Sequence, residues 1–345
     1  MSLLTDSPRI LLTRMMYIGD IVLTTPAIRA VREAFPRAFI AYLGEKNSVE
    51  LLEGNPHLDR IIPFDFSRPA ILEQPRVVRQ LRQLKFDASV DFFGNPRSAF
   101  LTYLSGAHIR IGGDFRGRGR LFTTKVPDDG VRRTSTAFHL RYLEPLGISV
   151  EHPHPPELFV SAHKKGSAFE FLTQQGIDVR KRIIGLHPGA TWPAKMWPKE
   201  HFVALARGIV KRTGAQVLFT QGPKDGELIS YIKREADGLA SILPTVPLQK
   251  LSAILSTLDV FVSNDCGPMH VAAAVGTKTV GIFGPGEEDI WFPYQESKGH
   301  ITVRHDVPCH PCHLDFCNRS GDDFMACMKG VTVEQVLQLV EERLR

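Results

Sequence analysis

Three polar segments of the chain each follow a short apolar run, and their residue types could carry out chemistry. The first comprises residues 19–26, GDIVLTTP, and places Asp20 shortly after the apolar run Arg9–Thr13. In doubly wound sheets, ligands bind beyond the carboxyl ends of the strands. A carboxylate at such a strand end can accept a proton from a reacting hydroxyl. It can equally be a helix cap, which stabilises a helix by about 1 kcal/mol, and the spacing leaves both interpretations open.

The second polar segment comprises residues 187–198, HPGATWPAKMWP, at the end of the apolar run Ile183–His187. Its glycine-containing loop offers backbone N–H groups, while Thr191 adds a hydroxyl and Lys195 a fixed positive charge. Together these groups can hold a pyrophosphate. The segment matches neither the GxGxxG fingerprint nor the Walker A loop, so the two commonest nucleotide-binding motifs are not supported. The alternative is an ordinary strand-to-helix turn with an exposed lysine.

The third polar segment comprises residues 263–270, SNDCGPMH, and is followed by the small residues VAAA. Small residues allow a helix to lie close to a sheet, so that its N-terminal amides can face a phosphate. In this arrangement Asp265 could orient a sugar or the lysine of the second segment, and His270 would lie about one helical turn further on. The alternative is a capped, closely packed helix without a ligand.

Short apolar runs alternate with helical patterns along the chain and must position these segments. The runs are Arg9–Thr13, Ile183–His187 and residues 38–43, 88–93, 216–220, 260–263 and 279–283. Many of them lack polar alternation, which is typical of parallel strands buried on both faces. The alternation of strand and helix indicates parallel sheets with right-handed crossovers. The sequence therefore predicts an α/β protein with two Rossmann-like, doubly wound domains.

The Pro- and His-rich residues 152–156 suit neither a helix nor a strand and are interpreted as a linker. This predicts a first domain at residues 1–157, a second at residues 158–330 and an amphipathic closing helix at residues 331–345. One of the three polar segments falls in the first domain and two fall in the second. We therefore expect both domains to face a cleft, with an acceptor bound on the first and a donor on the second.

The overall charge is mildly basic, with a formal net charge of +5 over 345 residues. The densest basic cluster is Arg110, Arg116, Arg118 and Arg120. Such a cluster suits an acidic small substrate or an anionic membrane surface, and the alternative is a solvated loop. We find no nucleic-acid-binding module. The start of the chain has no signal-peptide pattern, and no apolar run approaches the roughly 18 residues of a membrane span.

Four of the five cysteines lie near the C-terminus, at Cys309, Cys312, Cys317 and Cys327. Four thiolates would suffice for a tetrahedral zinc site, but only Cys309 and Cys312 have the spacing usual for one. We therefore expect reduced thiols or an occasional disulfide, ahead of structural zinc. The odd number of cysteines favours a reducing compartment, so we expect a cytoplasmic protein.

Taken together, the three segments resemble the bacterial heptosyltransferases of glycosyltransferase family 9, most closely the second heptosyltransferase of lipopolysaccharide inner-core synthesis. The resemblance rests on the patterns GD-x3-T-x-P, PGA…AK-x-WP and ND-x-G-x-x-H-x-AAA and covers nearly the whole chain. It implies a GT-B fold and an inverting transfer of heptose from ADP-heptose to a hydroxyl of the inner core. It also implies that no metal or other cofactor is required. We expect a monomer that works at the cytoplasmic surface of the inner membrane.

The same resemblance implies roles for individual residues. Asp20 would be the catalytic base, and Lys195 would contact the donor phosphate. The other donor-binding residues would be Asp265, Gly267 and His270 at the sugar and phosphate end, and Glu227 and Val246 at the ribose and adenine end. Thr191 is added to the donor-binding residues because of its hydroxyl in the second segment. One position departs from the family, because Cys266 stands where serine or threonine is usual.

The acceptor side is predicted from charge. An inner-core acceptor carries carboxylates and often phosphates, which arginine binds through two parallel hydrogen bonds. The stretch with Arg116, Arg118 and Arg120 follows residues 91–95, DFFGN, which are interpreted as another strand end. We therefore predict that these three arginines bind the acceptor.

Other function classes remain as alternatives. An NAD-dependent oxidoreductase could use two Rossmann-like domains, but GxGxxG follows the first strand of neither domain. A non-catalytic nucleotide-sugar binding module also stays open, although the presence of Asp20 together with the donor loops argues for chemistry. Among the transferases, a different donor sugar or a protein acceptor stays open, because sugar identity depends on a few pocket contacts.

Overall fold

The computed structural model describes residues 4–115 and 117–345. The chain divides into two compact units, Met1–Phe159 and Val160–Arg345. Each unit contains one six-stranded parallel sheet with helices packed on it. The predicted fold class, α/β with two Rossmann-like units of the GT-B type, is confirmed. Among the described residues, no helix has the length and apolar character needed to span a bilayer.

The first unit begins with a buried strand, and one or more helices follow most of its strands. Its strands are β1 (Arg9–Thr13), β2 (Phe39–Glu45), β3 (Arg60–Phe64), β4 (Ala88–Asp91), β5 (Ile109–Gly113) and β6 (Thr124–Val126). Its helices are α1 (Ile18–Leu23), α2 (Thr25–Ala34), α3 (Lys46–Val49), α4 (Ala70–Leu84), α5 (Pro96–Leu104) and α6 (Ser135–Arg141). The sheet order is β3-β2-β1-β4-β5-β6. The chain therefore reverses its direction of travel across the sheet between β1 and β4, which is where doubly wound sheets bind ligands.

The second unit repeats this topology. Its strands are β7 (Ile183–His187), β8 (Gln216–Phe219), β9 (Ser241–Ile242), β10 (Val260–Asn264), β11 (Lys278–Phe283) and β12 (Ile301–Arg304). Its helices are α7 (Ala162–Gln174), α8 (Lys199–Thr213), α9 (Gly226–Glu235), α10 (Leu248–Leu255), α11 (Gly267–Ala274), α12 (Glu288–Trp291), α13 (Ala326–Lys329) and α14 (Val333–Leu344). The order β12-β11-β10-β7-β8-β9 places the reversal between β7 and β10.

The last helix belongs to the core of the second unit. Val336, Leu337 and Val340 of α14 are buried and pack in the same apolar cluster as residues of α8. The helices approach closely at Gly208, where a Cβ atom would lie 2.6 Å from Leu337 Cδ2. A side chain at this position would therefore push α14 off the sheet.

Each of the seven apolar runs overlaps a strand, namely β1, β2, β4, β7, β8, β10 and β11. The sequence missed β3, β5, β6, β9 and β12. The missed strands are partly exposed: β3 is buried at two of its five residues, and β12 is fully buried at none. Partial exposure removes the continuous apolar run by which a parallel strand is recognised.

Candidate active site

Asp20 lies at the carboxyl edge of the first sheet, in the first turn of α1. The N-cap of this helix is Tyr17, so Asp20 is the third helical residue and not the N-cap itself. Its Oδ2 accepts a hydrogen bond of 3.3 Å from the Tyr17 backbone N–H, while Oδ1 is ion-paired with Arg14. The side chain is 16% exposed, so solvent reaches it. The carboxylate both supports the start of the helix and is available to a ligand.

Arg14 holds Asp20 in place, and the sequence prediction missed it. Its Nη2 pairs with Asp20, and its Nη1 donates to the Phe92 carbonyl oxygen over 3.2 Å. Its guanidinium also stacks on the Phe93 ring, 4.2 Å from the ring centre. Arg14 thus connects the end of β1 with the loop after β4, at the reversal point of the sheet. The signal for it was its position directly after β1.

Two buried polar groups lie beneath this edge and do not compete with Asp20 for the role of base. The Asp91 carboxylate accepts hydrogen bonds from the Phe93 and Gly94 backbone N–H groups and from the Ser98 hydroxyl. Burial raises the pKa of Asp91 above its ordinary value. Burial also lowers the pKa of His139 to about 4, so this ring is neutral near pH 7. Both groups are fully enclosed and stabilise the loop that Arg14 contacts.

The arginine-rich stretch lies against the same edge. Arg118 Nε donates to the Gly94 carbonyl oxygen over 2.7 Å, so the turn Arg118–Leu121 packs on the loop after β4. Arg120 is exposed, whereas Arg116 lies outside the described residues. Arg110 differs from these, because it lies in β5 and its guanidinium donates to two backbone carbonyl oxygens. Its role is structural, and the other three remain the predicted acceptor residues.

In the second unit, the lysine and the aspartate of the two polar segments meet. Lys195 Nζ lies 2.5 Å from Asp265 Oδ2, and the two side chains are 19% and 6% exposed. The ammonium also lies 4.7 Å from the centre of the Trp192 ring. Lys195 follows β7 and Asp265 follows β10, so the pair marks the reversal point of this sheet. The alternative of a freely exposed lysine is therefore wrong.

Asn264 fixes the backbone around this pair, and the sequence prediction gave it no role. Its Nδ2 donates to the Pro188 carbonyl oxygen over 2.8 Å, and its Oδ1 accepts from the Trp197 backbone N–H over 3.0 Å. The Trp197 indole is buried and donates to the Val331 carbonyl oxygen over 2.9 Å. One amide thereby ties both ends of the second polar segment to β10.

The loops after β7 and β8 pack so closely that a glycine is required. A Cβ on Gly189 would lie 2.4 Å from Asp225 Oδ2. That same oxygen accepts a hydrogen bond of 2.6 Å from the Gly222 backbone N–H. Nearby, burial lowers the pKa of His187 to about 4, and its Nδ1 shares a hydrogen bond of 2.9 Å with the Thr220 hydroxyl. His187 is therefore a neutral structural residue.

The third polar segment forms the start of α11. Gly267 is the first residue of that helix, and Cys266 occupies the N-cap position without a side-chain cap hydrogen bond. Burial raises the pKa of the Cys266 thiol to about 12, so it stays protonated near pH 7, and its Sγ lies 3.2 Å from the Ser263 hydroxyl oxygen. His270 is buried, and its Nδ1 lies 3.3 Å from the Tyr294 hydroxyl. Its predicted contact with the donor stays a prediction.

The remaining predicted donor residues follow successive strands along one edge of the sheet. Thr191 is exposed after β7, Glu227 is exposed in the first turn of α9 after β8, and Val246 is half-buried after β9. Because β10, β7, β8 and β9 are neighbours in that order, these residues form a row that starts at the Lys195–Asp265 pair. A row of this kind suits an elongated ligand whose charged end lies at the pair.

The four C-terminal cysteines are brought together. Cys309, Cys312, Cys317 and Cys327 are all unpaired and line one cavity of about 200 Å³. Burial raises the pKa of the Cys327 thiol. In residues 4–115 and 117–345, no three His, Cys, Asp or Glu side chains are arranged to hold a metal ion. Reduced thiols or an occasional disulfide stay the prediction, and structural zinc stays the less favoured alternative.

Comparison with known proteins assigns the chain to a family. The sequence profile of glycosyltransferase family 9 (heptosyltransferase) matches residues 75–319, well over half of the chain. The chain belongs to glycosyltransferase family 9. The predicted family and enzyme class, a glycosyltransferase, are thereby confirmed, and the oxidoreductase alternative is set aside.

Individual members of family 9 align with nearly the whole chain. A lipooligosaccharide heptosyltransferase 2 of Campylobacter jejuni is 27% identical over 339 residues, which cover 95% of this chain and 96% of that protein. A family 9 glycosyltransferase from Veillonella parvula superposes with a TM-score of 0.86 at 24% identity, covering 100% of this chain and 98% of that one. An Escherichia coli heptosyltransferase solved with ADP-2-deoxy-2-fluoro heptose gives a TM-score of 0.72 at 22% identity, with 97% and 99% covered. The two solved structures share the fold of this chain.

Proposed function

We propose that this family 9 glycosyltransferase transfers heptose from ADP-heptose to a hydroxyl of the lipopolysaccharide inner core, with inversion at the anomeric carbon. The observation that carries the proposal is the pair of charged residues at equivalent places in the two sheets. Asp20 lies at the reversal point of the first sheet, and Lys195, paired with Asp265, lies at that of the second. The first is suited to accept a proton and the second to bind a diphosphate.

The donor assignment rests on the row of loops along β10, β7, β8 and β9. The Lys195 ammonium and the start of α11 offer positive charge to a diphosphate. The loops with Glu227 and Val246 would then contact the ribose and the adenine. ADP-heptose is supported by the E. coli heptosyltransferase solved with an ADP-heptose analogue. A lipooligosaccharide acceptor is supported by the name of the C. jejuni relative.

The proposed reaction is a single displacement. The acceptor hydroxyl oxygen forms a bond to the anomeric carbon while the bond from that carbon to the diphosphate oxygen breaks. The hydroxyl proton passes to the Asp20 carboxylate, and ADP leaves. One displacement inverts the anomeric configuration. A carboxylate is a weak base for a hydroxyl, so proton transfer occurs late, in concert with bond formation.

Negative charge grows on the leaving diphosphate during this step. Lys195 and the amides at the start of α11 stabilise that charge, which is the task that metal ions perform in other transferases. We therefore propose that the reacting atoms need no metal ion.

The five unpaired cysteines are typical of a reducing compartment, which supports a cytoplasmic enzyme.

The donor assignment is tested by thermal unfolding with a panel of nucleotide sugars. We expect ADP-heptose to raise Tm more than UDP- or GDP-linked sugars do. A donor present at about 100 times its Kd adds about 2.7 kcal/mol to the free energy of unfolding. A larger shift with another sugar nucleotide would reassign the donor. Binding of ADP-heptose without transfer to an inner-core acceptor would favour the non-catalytic binding module. The anomeric configuration of the product, determined by NMR, tests whether the transfer inverts.

The acceptor assignment predicts a kinetic effect for the three arginines. Replacing Arg116, Arg118 and Arg120 with glutamine should raise the acceptor KM about tenfold or more, because charge-assisted hydrogen bonds to acidic groups are lost. ADP affinity should hold. The effect should shrink at 1 M salt, where the Debye length is about 3 Å. Steady-state kinetics at two salt concentrations measure it.

A matched control removes three positive charges from the second unit, at residues 180–182. This control should leave the acceptor KM unchanged at low salt. If the arginine triple variant also keeps the wild-type KM at low salt, the stretch is only a solvated turn.

A further inference from the structure

Large apolar side chains are exposed together on one part of the first unit. Ile71 and Leu72, in the first turn of α4, are 81% and 67% exposed. Phe66 precedes this helix, and Phe100 and Tyr103 lie on α5; these three are 39%, 45% and 46% exposed. Single exposed apolar residues are normal on a protein surface, but five of them on two neighbouring helices and the loop before them favour an interaction site.

The five residues share one face of the sheet. The helices α4 and α5 connect β3 to β4 and β4 to β5, so right-handed crossovers place both on the same side. At the start of the helices, the Arg97 guanidinium of α5 lies 4.8 Å from the centre of the Phe66 ring. At their end, Arg82 Nε of α4 donates to the Leu104 carbonyl oxygen over 2.9 Å. The two helices therefore lie side by side along their lengths, and we call this surface the α4–α5 face.

The α4–α5 face is also strongly basic. Residues 66–104 contain six lysines and arginines against three acidic residues. Two of the acids are withdrawn from the surface, because Asp91 and Glu73 are buried and Glu73 is paired with Arg76. The exposed charges of this stretch are positive and belong to Arg68, Arg79, Arg82 and Lys85. Exposed apolar side chains flanked by arginines are typical of proteins that lie on anionic membranes.

We infer that the α4–α5 face docks on an anionic lipid bilayer, with Ile71 and Leu72 entering the interface and the basic residues contacting lipid phosphates. A nucleic acid would satisfy the charges but leave the two aliphatic side chains in water. A symmetric contact between two copies would bring two basic faces together, which is unfavourable. The bilayer alone provides partners for both the apolar and the basic residues.

The experiment measures co-sedimentation of the full chain with vesicles, in the absence of donor and acceptor. We expect binding to phosphatidylcholine vesicles that contain phosphatidylglycerol, and binding weaker by about tenfold or more to phosphatidylcholine alone. The variant I71S/L72S should bind the anionic vesicles about tenfold or more weakly. The variant R79Q/K85Q should lose most of the preference for anionic lipid. The control V131S/F169S removes two other exposed apolar side chains and should bind as wild type does.

Two results would overturn the inference. One is undiminished vesicle binding by I71S/L72S with Tm as in wild type. The other is a concentration-dependent dimer that I71S/L72S abolishes, in a protein that binds no vesicles, because the face would then belong to a second copy. The inference extends the proposed function, whose acceptor is part of a lipid. The experiments distinguish failure of the docking inference from failure of the proposed function. I71S/L72S should keep wild-type transfer to a deacylated, water-soluble acceptor, and loss of that transfer would not be an effect of membrane docking.

Discussion

Replacing Asp20 with alanine is expected to lower the rate of sugar transfer by about 10²-fold or more, since a positioned general base contributes this much. The side chain is 16% exposed at the end of the first sheet, where Arg14 holds it against the loop after β4. ADP affinity should stay nearly unchanged, because the predicted donor residues all belong to the second unit. Single-turnover kinetics and ADP titration measure the two effects.

The variant Asp20→Asn separates a base from a helix cap. An asparagine oxygen can still accept the hydrogen bond from the Tyr17 backbone N–H, so the start of α1 should be preserved. A neutral amide cannot accept the proton of the acceptor. We therefore expect a rate as low as that of Asp20→Ala, and some loss of Tm because Arg14, which is 12% exposed, loses its ion-pair partner. Near-normal turnover in Asp20→Asn would reduce Asp20 to a structural residue.

The central parts of both sheets could be predicted from the sequence because their strands are buried on both faces. β1 and β7 have the bounds of their apolar runs, and the polar segments that follow them carry Asp20 and Lys195. The rule that ligands bind at the carboxyl ends of strands placed both residues correctly at a sheet edge. It needs only the position of the strand, which an apolar run supplies.

Contacts between distant segments could not be predicted in the same way. Arg14, the ion-pair partner of Asp20, donates a hydrogen bond to the Phe92 carbonyl oxygen. Asn264 donates to the Pro188 carbonyl oxygen and so fixes the loop that carries Lys195. Both contacts depend on which strands are neighbours, and the sequence gives strand order only through the general rules of doubly wound sheets. The sequence does allow Asp265 to orient Lys195, because each residue follows a strand of its own. The neighbour relation of β7 and β10 makes that pairing possible.

Arg110 has a structural role because it lies in a strand, although the glycines that follow it suggest a loop. Its neighbours Gly112 and Gly113 suggest a loop, but both lie in β5, where a Cβ on Gly112 would lie 2.3 Å from the Phe122 ring. The glycines therefore serve close packing, and Arg110 donates to backbone carbonyls beside them. Glycine indicates a turn and a tight contact equally well, and only the three-dimensional neighbours distinguish the two.

Replacing Lys195 with alanine is expected to weaken ADP binding about tenfold and to lower kcat by about tenfold or more. A hydrogen bond to a charged group contributes about 1.5–3 kcal/mol, and the contact strengthens as charge grows on the leaving diphosphate. The change also leaves Asp265, which is 6% exposed, without its ion-pair partner. Breaking a buried ion pair lowers the free energy of unfolding by up to about 3–5 kcal/mol, so Tm should fall as well. Isothermal titration with ADP and steady-state kinetics measure the effects on binding and turnover.

The double variant Lys195→Ala/Asp265→Asn separates the role in binding from the role in stability. It removes the unpaired buried carboxylate together with the ammonium, so Tm should recover much of its loss. ADP binding should nevertheless stay weak, because the positive charge near the diphosphate is still missing, and ADP lacks the heptose that Asp265 could contact. Lys195→Arg keeps the charge and should retain most of the ADP affinity. If Lys195→Ala keeps wild-type ADP affinity and kcat while Tm falls, Lys195 serves only to neutralise Asp265 in the folded protein.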